Sequence, residues 1–381
     1  MPTPRPLLAL TASALALAAV LLLLELGLRL LPVNEGLHTQ PVDAAHPMLH
    51  FEPDRTLTWS RFPDFAMRNT VHVNNAGFVS DQDYDPADPR PLVAVVGDSY
   101  VEAAMVPWAE TGHGRLARLL APGTRVYAFG ASGAPLSQYL ACADWVRRTY
   151  APARLVVVVV GNDFDESLFR PGAMPGFHYF REGPAGLELV RKDYAPSLWT
   201  RLARRSRLAL YLAVNVQAGS ALRGLLHGQD AGDPAAFVGQ TAAAADAARL
   251  AASRRVVDAF LERLAQAAGL PPGDVLLVVD GMRPNLYDPA GLAKAKGSYF
   301  DEMRTYLMTR ARTMGYRVAD MQPVFRAHWL AHGQRFEFPR DGHWNALGHE
   351  RFARAVLDSG LLTGLPGAPE GDAVPQDPVT R

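Results

Sequence analysis

The stretch "PLVAVVGDSYVEA", Pro91 to Ala103, decides how the chain is read. An apolar run, Leu92 to Val96, ends abruptly on Gly97-Asp98-Ser99. A strand with no polar face is expected where helices cover both sides of a sheet. Its polar end has two readings. Asp98 and Ser99 can cap the next helix, or Ser99 can be a nucleophile held at the edge of a sheet. The following segments repeat the rhythm. "TGHGRLARLLA" has helical leucine spacing, "TRVYAFGASG" is a strand, "LSQYLACADWVRRTYA" is helical, and "RLVVVVVGNDFDE" is a third strand. Strands alternating with helices predict an α/β unit with a central parallel sheet.

The rhythm breaks from Leu168 to about Arg254. That stretch holds "PGAMPG", the basic piece "WTRLARRSRLALYLAVNV" and the alanine-rich run "FVGQTAAAADAARLAASRR", and it reads as a helical insertion. The pattern resumes with a helix over 255–268, the strand "DVLLVVDG", a helix over 299–314 and the strand "YRVADM". A short helix, "PVFRAHWLAH", precedes "FPRDGHWNALGHERFARAVLDSG", a loop leading into a last helix. The expected divisions are an anchor over 1–33, an extension over 34–90, the α/β unit over 91–362 with its insertion at about 168–254, and a tail over 363–381. The tail is rich in Pro, Gly and acids and is expected to be disordered. In the extension, Asn74-Asn75-Ala76-Gly77 reads as a turn between short strands.

Composition narrows the function classes. The 381 residues carry 38 Lys+Arg against 38 Asp+Glu, so no bulk charge favours nucleic acid as a partner. The single cysteine, Cys142, excludes an internal disulfide and a cysteine-based metal site. No cofactor or metal is called for. At the N-terminus, Leu7 to Leu24 carries no charge, and leucines continue past Glu25 and Arg29 to Leu31. A bilayer core of roughly 30 Å takes about 20 apolar residues as a helix. A cleaved signal peptide has a shorter apolar region of about 7–15 residues. The segment is therefore expected to be an uncleaved transmembrane helix. Charge does not set its direction, since Arg5 at one end competes with Arg29 near the other. The α/β unit is expected outside the cytoplasm.

The strand ends supply the chemistry. Ligands in open parallel sheets bind at the carboxyl ends of the strands. Those ends carry Gly97-Asp98-Ser99, Gly130-Ala131-Ser132-Gly133 and Gly161-Asn162-Asp163. Asp341-Gly342-His343 lies before the last helix. A serine hydroxyl needs a general base, and histidine titrates near neutrality. An acid beside the histidine fixes its tautomer. Ser99 N–H, a glycine N–H and the Asn162 amide are candidate donors to an oxyanion. Each part also has an ordinary reading as a cap, a turn or a surface residue. Their conjunction at strand and loop ends is the signal.

These blocks resemble the SGNH/GDSL hydrolase superfamily: "GDSY", "FGASGAP", "VGNDFDE" and "DGHWNALGH" stand in family order. The resemblance covers about 91–162 and 273–357. It implies a three-layer, flavodoxin-like α/β fold and an esterase acting through Ser99, with His343 as base and Asp341 as its partner. The oxyanion donors are then Ser99, Gly133 (with Gly130 as the alternative) and Asn162. The common family spacing is Asp-x-x-His; here it is Asp-x-His followed by Trp. This D-x-HW form is similar to membrane-linked proteins tied to exopolysaccharide O-acetylation. It implies an acyl ester of a glycan as substrate, with other polysaccharide-assembly proteins as partners. A lipid or small-ester esterase and a non-catalytic anchored scaffold are the alternatives.

Other polar residues have plainer expectations. Asp98 caps or orients its turn. Asp163, Asp165 and Glu166 complement a helix start. His328 and His332 stand at i, i+4, a zinc-pair spacing, without a third ligand. His349 and Trp344 are expected to pack beneath the histidine loop, and Asp280 and Arg283 to border the pocket. Arg201, Arg204, Arg205, Arg207 and Arg223, with no acid from Tyr194 to Gln229, suit either a solvated helix face or lipid headgroups.

Overall fold

The fold is described from a computed structural model over residues 5–184, 186–218 and 237–369. In chain order, α1 is Arg5–Leu28, β1 Arg55–Arg61, β2 Met67–Val73, β3 Leu92–Gly97, α2 Ser99–Glu102, α3 Gly112–Leu120, β4 Arg125–Gly130, α4 Leu136–Tyr150 and β5 Arg154–Val159. The insertion, expected to be helical, instead mixes hairpin strands with short helices: β6 His178–Gly183, β7 Gly186–Arg191, α5 Leu198–Ala203, α6 Arg207–Leu210, β8 Phe237–Val238 and β9 Thr241–Ala242. The chain then forms α7 Ala247–Ala268, β10 Val275–Val279, α8 Pro289–Ala295, α9 Tyr299–Thr313, β11 Arg317–Asp320 and α10 Met321–His332. It ends with β12 Glu337–Phe338, β13 Asp341–Trp344 and α11 Ala346–Asp358.

Five strands form one parallel sheet in the order β11-β10-β5-β3-β4. Numbered by their order in that sheet's chain path, this is the 2-1-3-4-5 arrangement of flavodoxin-like folds. Strand side chains alternate between two cores. Leu92, Ala94, Val96, Leu155, Val157 and Val159 join Phe260 and Leu264 of α7 and Met303 and Leu307 of α9 on one face. Val93, Val95, Val156 and Val158 join Leu116 of α3, Phe325 of α10 and Phe352 and Val356 of α11 on the other. Burial on both faces is why these strands read as continuous apolar runs.

Helix boundaries follow local chemistry. Thr111, Asp246, Ser298, Asp320 and Asn345 cap α3, α7, α9, α10 and α11 with side-chain oxygens on backbone N–H groups. Capping by Asp246 starts α7 at Ala247, so the alanine-rich run joins the helix expected to begin at residue 255. The stretch Asp341-Gly342-His343, read as loop, is a short strand paired antiparallel with β12. The expected tail is ordered in its first part: Pro366 O accepts a hydrogen bond from Thr124 Oγ1 at 2.7 Å. Residues 370–381 lie outside the described residues, as does Arg223.

The 34–90 extension is built onto the sheet. Its Val42, Phe51, Phe78 and Tyr84 share a core with Tyr127 and Phe129 of β4. β4 is an edge strand, and an uncovered edge leaves backbone groups open to other chains. Here Tyr84 Oη donates to Ala128 O and accepts from Ala128 N, both at 2.9 Å. Gln82 Nε2 donates to Val126 O at 2.6 Å. Leu8–Leu28 of α1 is long and apolar enough to cross a membrane, with a mean hydropathy of 2.2, and its most apolar stretch is not buried against the rest of the chain.

Tyr84→Phe keeps the ring and removes both hydrogen bonds to Ala128. Leaving buried backbone groups without a partner costs about 1–3 kcal/mol each. The variant is expected to melt several degrees below the wild type by circular dichroism. An unchanged Tm would mean the extension does not seal this edge.

Candidate active site

Gly97 ends β3 in a crowded turn, where a Cβ would lie 2.5 Å from Val101 Cγ2. Asp98 then caps α2, its Oδ1 accepting Tyr100 N–H at 2.9 Å. Ser99 is the first helical residue, which turns its hydroxyl out of the sheet's carboxyl edge. The acid therefore caps the helix, and the same turn holds Ser99 at the end of β3.

Ser99 Oγ lies 2.8 Å from His343 Nε2, across 244 residues of chain. His343 Nδ1 meets Asp341 Oδ1, and the same oxygen accepts the His343 backbone N–H at 2.9 Å. Because Asp341 is acceptor-only when ionised, Nδ1 carries the proton and Nε2 is left as an acceptor. Ser99 Oγ–H then donates to Nε2. A longer approach, 3.3 Å, joins Ser99 Oγ to Asp98 Oδ2.

Asp341 is buried, its side chain 1% exposed. Burial alone would raise its pKa. The hydrogen bonds and charge of His343, with the charge of Arg61, outweigh that and hold it at about 2. Arg61, at the end of β1, pairs with Asp341 Oδ2. Nothing local in the sequence around Arg61 announces this contact. It arises because the extension folds over the sheet and delivers the end of β1 to β13.

The peptide between Asp341 and His343 is also clamped. Gly342 O accepts from Tyr100 Oη at 3.0 Å, from Arg283 Nη1 at 3.0 Å and from Gln240 Nε2 at 3.2 Å. Arg283 is buried and pairs with Asp280 at 2.6 Å. Asp280 in turn accepts Trp344 Nε1–H at 3.0 Å. Asp280 and Arg283, expected to border a pocket, instead lie behind the site and hold its backbone. Trp344 stands edge-on to Tyr100 and to His349, which is buried and whose pKa burial drives well down.

The candidate oxyanion residues occupy the neighbouring turns. Gly133 has φ +81°, a left-handed conformation that favours glycine. Gly130 is filled differently: a Cβ there would lie 2.1 Å from Glu102 N, so it serves close packing of β4 on α2. Between them, Ser132 N and Oγ both donate to the buried Glu102 carboxylate at 2.8 Å. Asn162 follows β5, and its Nδ2 donates to Glu166 Oε2 at 2.9 Å. An amide nitrogen has two N–H donors, so one remains. Asp163 Oδ2 accepts Val160 N–H at 2.8 Å, and Asp165 pairs with Arg249 at 2.9 Å. His328 Nε2 donates to Gln334 Oε1 at 3.0 Å. Among the described residues no group of three His, Cys, Asp or Glu is placed to hold a metal ion.

No family model and no curated protein matches the chain. It is similar to several solved structures. One is TesA, 13% identical, covering 71% of this chain and 97% of that one, with a TM-score of 0.37. Another is a lipase/acylhydrolase from Enterococcus faecalis, 11% identical, covering 71% and 95%, with a TM-score of 0.36. A third is a two-domain esterase active on acetylated mannans, 11% identical, covering 74% and 52%, with a TM-score of 0.38. Likenesses at these TM-scores carry no weight for the chemistry, which is read from the geometry of the site.

Asp341 makes a signed prediction. Its folded pKa of about 2 lies below the ordinary 3.8, so its stabilisation is present above pH 4 and lost as pH falls toward 2. The lost amount is about 2 kcal/mol at 1.36 kcal/mol per unit. Unfolding of wild type and Asp341→Asn across pH 2–6 is expected to show a stability difference that shrinks by that amount toward the acid end. A pH-independent difference would mean that Asp341 is not held ionised by its partners.

Proposed function

We propose that this chain is a serine-dependent enzyme of ester bonds. The observation that carries the reading is the continuous relay from Asp341 through His343 to Ser99 Oγ, closed by the 2.8 Å contact at Nε2. Ser99 Oγ attacks the ester carbonyl carbon while its proton passes to His343 Nε2. Asp341 stays ionised and stabilises the imidazolium. The carbonyl oxygen becomes an oxyanion, facing the Ser99 and Gly133 N–H groups and the Asn162 amide as proposed donors. Each such donor is worth about 3–4 kcal/mol of barrier. Collapse breaks the ester C–O bond, and His343 returns the proton to the leaving alcohol. The acyl-Ser99 ester is then cleaved by a second hydroxyl, whose proton passes to His343 Nε2 and from there to the departing Ser99 Oγ. Water as that hydroxyl makes a hydrolase; a sugar hydroxyl makes an O-acyltransferase.

The proposed substrate is an acyl ester, acetyl above all, on a glycan outside the cytoplasm. The D-x-HW form of "DGHWNALGH" supports the glycan and with it the location outside the cytoplasm, and the apolar α1 supports a membrane anchor. A scaffold without activity would have no need of an ionised, doubly paired Asp341 behind the histidine.

Full-length protein in detergent is expected to turn over p-nitrophenyl acetate in preference to the octanoate. Ser99→Ala and His343→Ala should each lower kcat/KM by roughly 10³–10⁴-fold or more. A fluorophosphonate probe should mark Ser99 in the wild type and not in Ser99→Ala. Octanoate preference would favour a lipid substrate. No turnover and no labelling, in protein with a native circular dichroism spectrum, would reject the enzymatic reading.

A further inference from the structure

The end of α1 is bonded to the insertion. Glu25, in the last turn of α1, accepts Ser206 Oγ–H at 2.8 Å and the backbone N–H groups of Arg207 and Leu208 at 3.1 and 2.9 Å. It also pairs with Arg29. Leu28 of α1 packs with Val33 and Leu210. A carboxylate with these polar partners belongs at the boundary of a bilayer, not in its hydrocarbon. Whatever is bonded to Glu25 is therefore held at that depth.

The element bonded to Glu25 is α6, capped by Ser206, and α5 ends three residues before that cap, which keeps it near the same depth. Its Leu198 and Trp199 are 68% and 79% exposed, and Leu202 is 46% exposed. At 100° per residue these three share one side of the helix, with Arg201 on its flank and Arg205 in the turn just past its end. Arg201 and Arg205 are exposed and make no ion pair among the described residues. Three large exposed apolar side chains, beside cations that are unpaired among the described residues, suit the water–lipid boundary. There tryptophan rings sit at headgroup level, and arginine reaches the phosphates.

The geometry points to α5 as a second membrane contact: an interfacial helix lying on the bilayer beside the anchor, with Leu198, Trp199 and Leu202 in the acyl boundary and Arg201 and Arg205 at the headgroups. Its occupant is lipid. This rests on the reading of α1 as a membrane span.

The test uses full-length protein in nanodiscs of phosphatidylcholine and phosphatidylglycerol. Single cysteines replace Leu17 of α1, Trp199, Leu202 or the exposed Leu330 of α10, each labelled with NBD. The native Cys142 is buried, and the unsubstituted chain measures its background labelling. Doxyl-labelled lipids report contact with acyl chains. Labels at 17, 199 and 202 are expected to lose most of their emission, and the label at 330 none. Quenching at 17 with none at 199 and 202 overturns the interfacial helix and leaves the anchor standing. No quenching at 17 overturns both. Labels at 199 and 202 shielded from lipid and from aqueous iodide alike would place protein there and overturn the proposal.

Discussion

The site depends on keeping one carboxylate charged where water cannot reach it. Moving an ion out of water costs several kcal/mol unless partners replace the solvent. Asp341 is 1% exposed at its side chain and has partners on both oxygens: His343 on Oδ1 and Arg61 on Oδ2. Those partners come from opposite ends of the chain. His343 shares β13 with Asp341, while Arg61 closes β1, and the two meet only because the extension packs on the sheet. The extension is thus tied to the site by electrostatics as well as to the sheet edge by hydrogen bonds.

The other acids around Ser99 show what happens without such partners. Burial raises the pKa of Asp98 to about 6, against the pull of the Tyr100 N–H and the charge of His343. Burial also raises Glu102, against two hydrogen bonds from Ser132, and raises Asp163 well above the usual carboxylate range. Among the described residues none of these three pairs with an arginine. Asp341 does, and it lies near 2. Carboxylates a few residues apart in space are thereby separated into one fixed anion and several that resist ionisation, which is how environment divides roles among like groups. For Asp98 the sign is opposite to that of Asp341: ionising it costs stability as pH rises from its ordinary value toward 6.

Rigidity comes from the peptide at Gly342. Three side chains from three elements converge on its carbonyl: Tyr100 from α2, Arg283 from beyond β10 and Gln240 from the insertion. The same Tyr100 follows Ser99 directly. Ser99 and His343 are consequently braced by one shared network, with Asp280 and Trp344 beneath it. Glu25 ties α1 to the insertion in a comparable way, one carboxylate gathering several donors.

Much of this was legible in residue order. Apolar runs buried on both faces, helical leucine spacing and polar strand ends specify a parallel sheet with its chemistry at one edge, because those patterns are set by neighbours in sequence. Ser99, His343 and Asp341 stood out for the same reason, each at a turn whose local chemistry could be read. The start of α7 was misplaced because alanine fits an insertion or a helix equally until Asp246 caps it. The strand at Asp341–Trp344 was hidden because its partner is only two residues long and bulged. Arg61, the roles of Asp280 and Arg283 behind the site, and the grip of Glu25 on α6 were decided only by the tertiary structure. Each joins residues far apart in the chain, and such pairings leave no periodicity to read. Burial, which sets whether a carboxyl is an anion or an acid, exists only once the chain has closed around it.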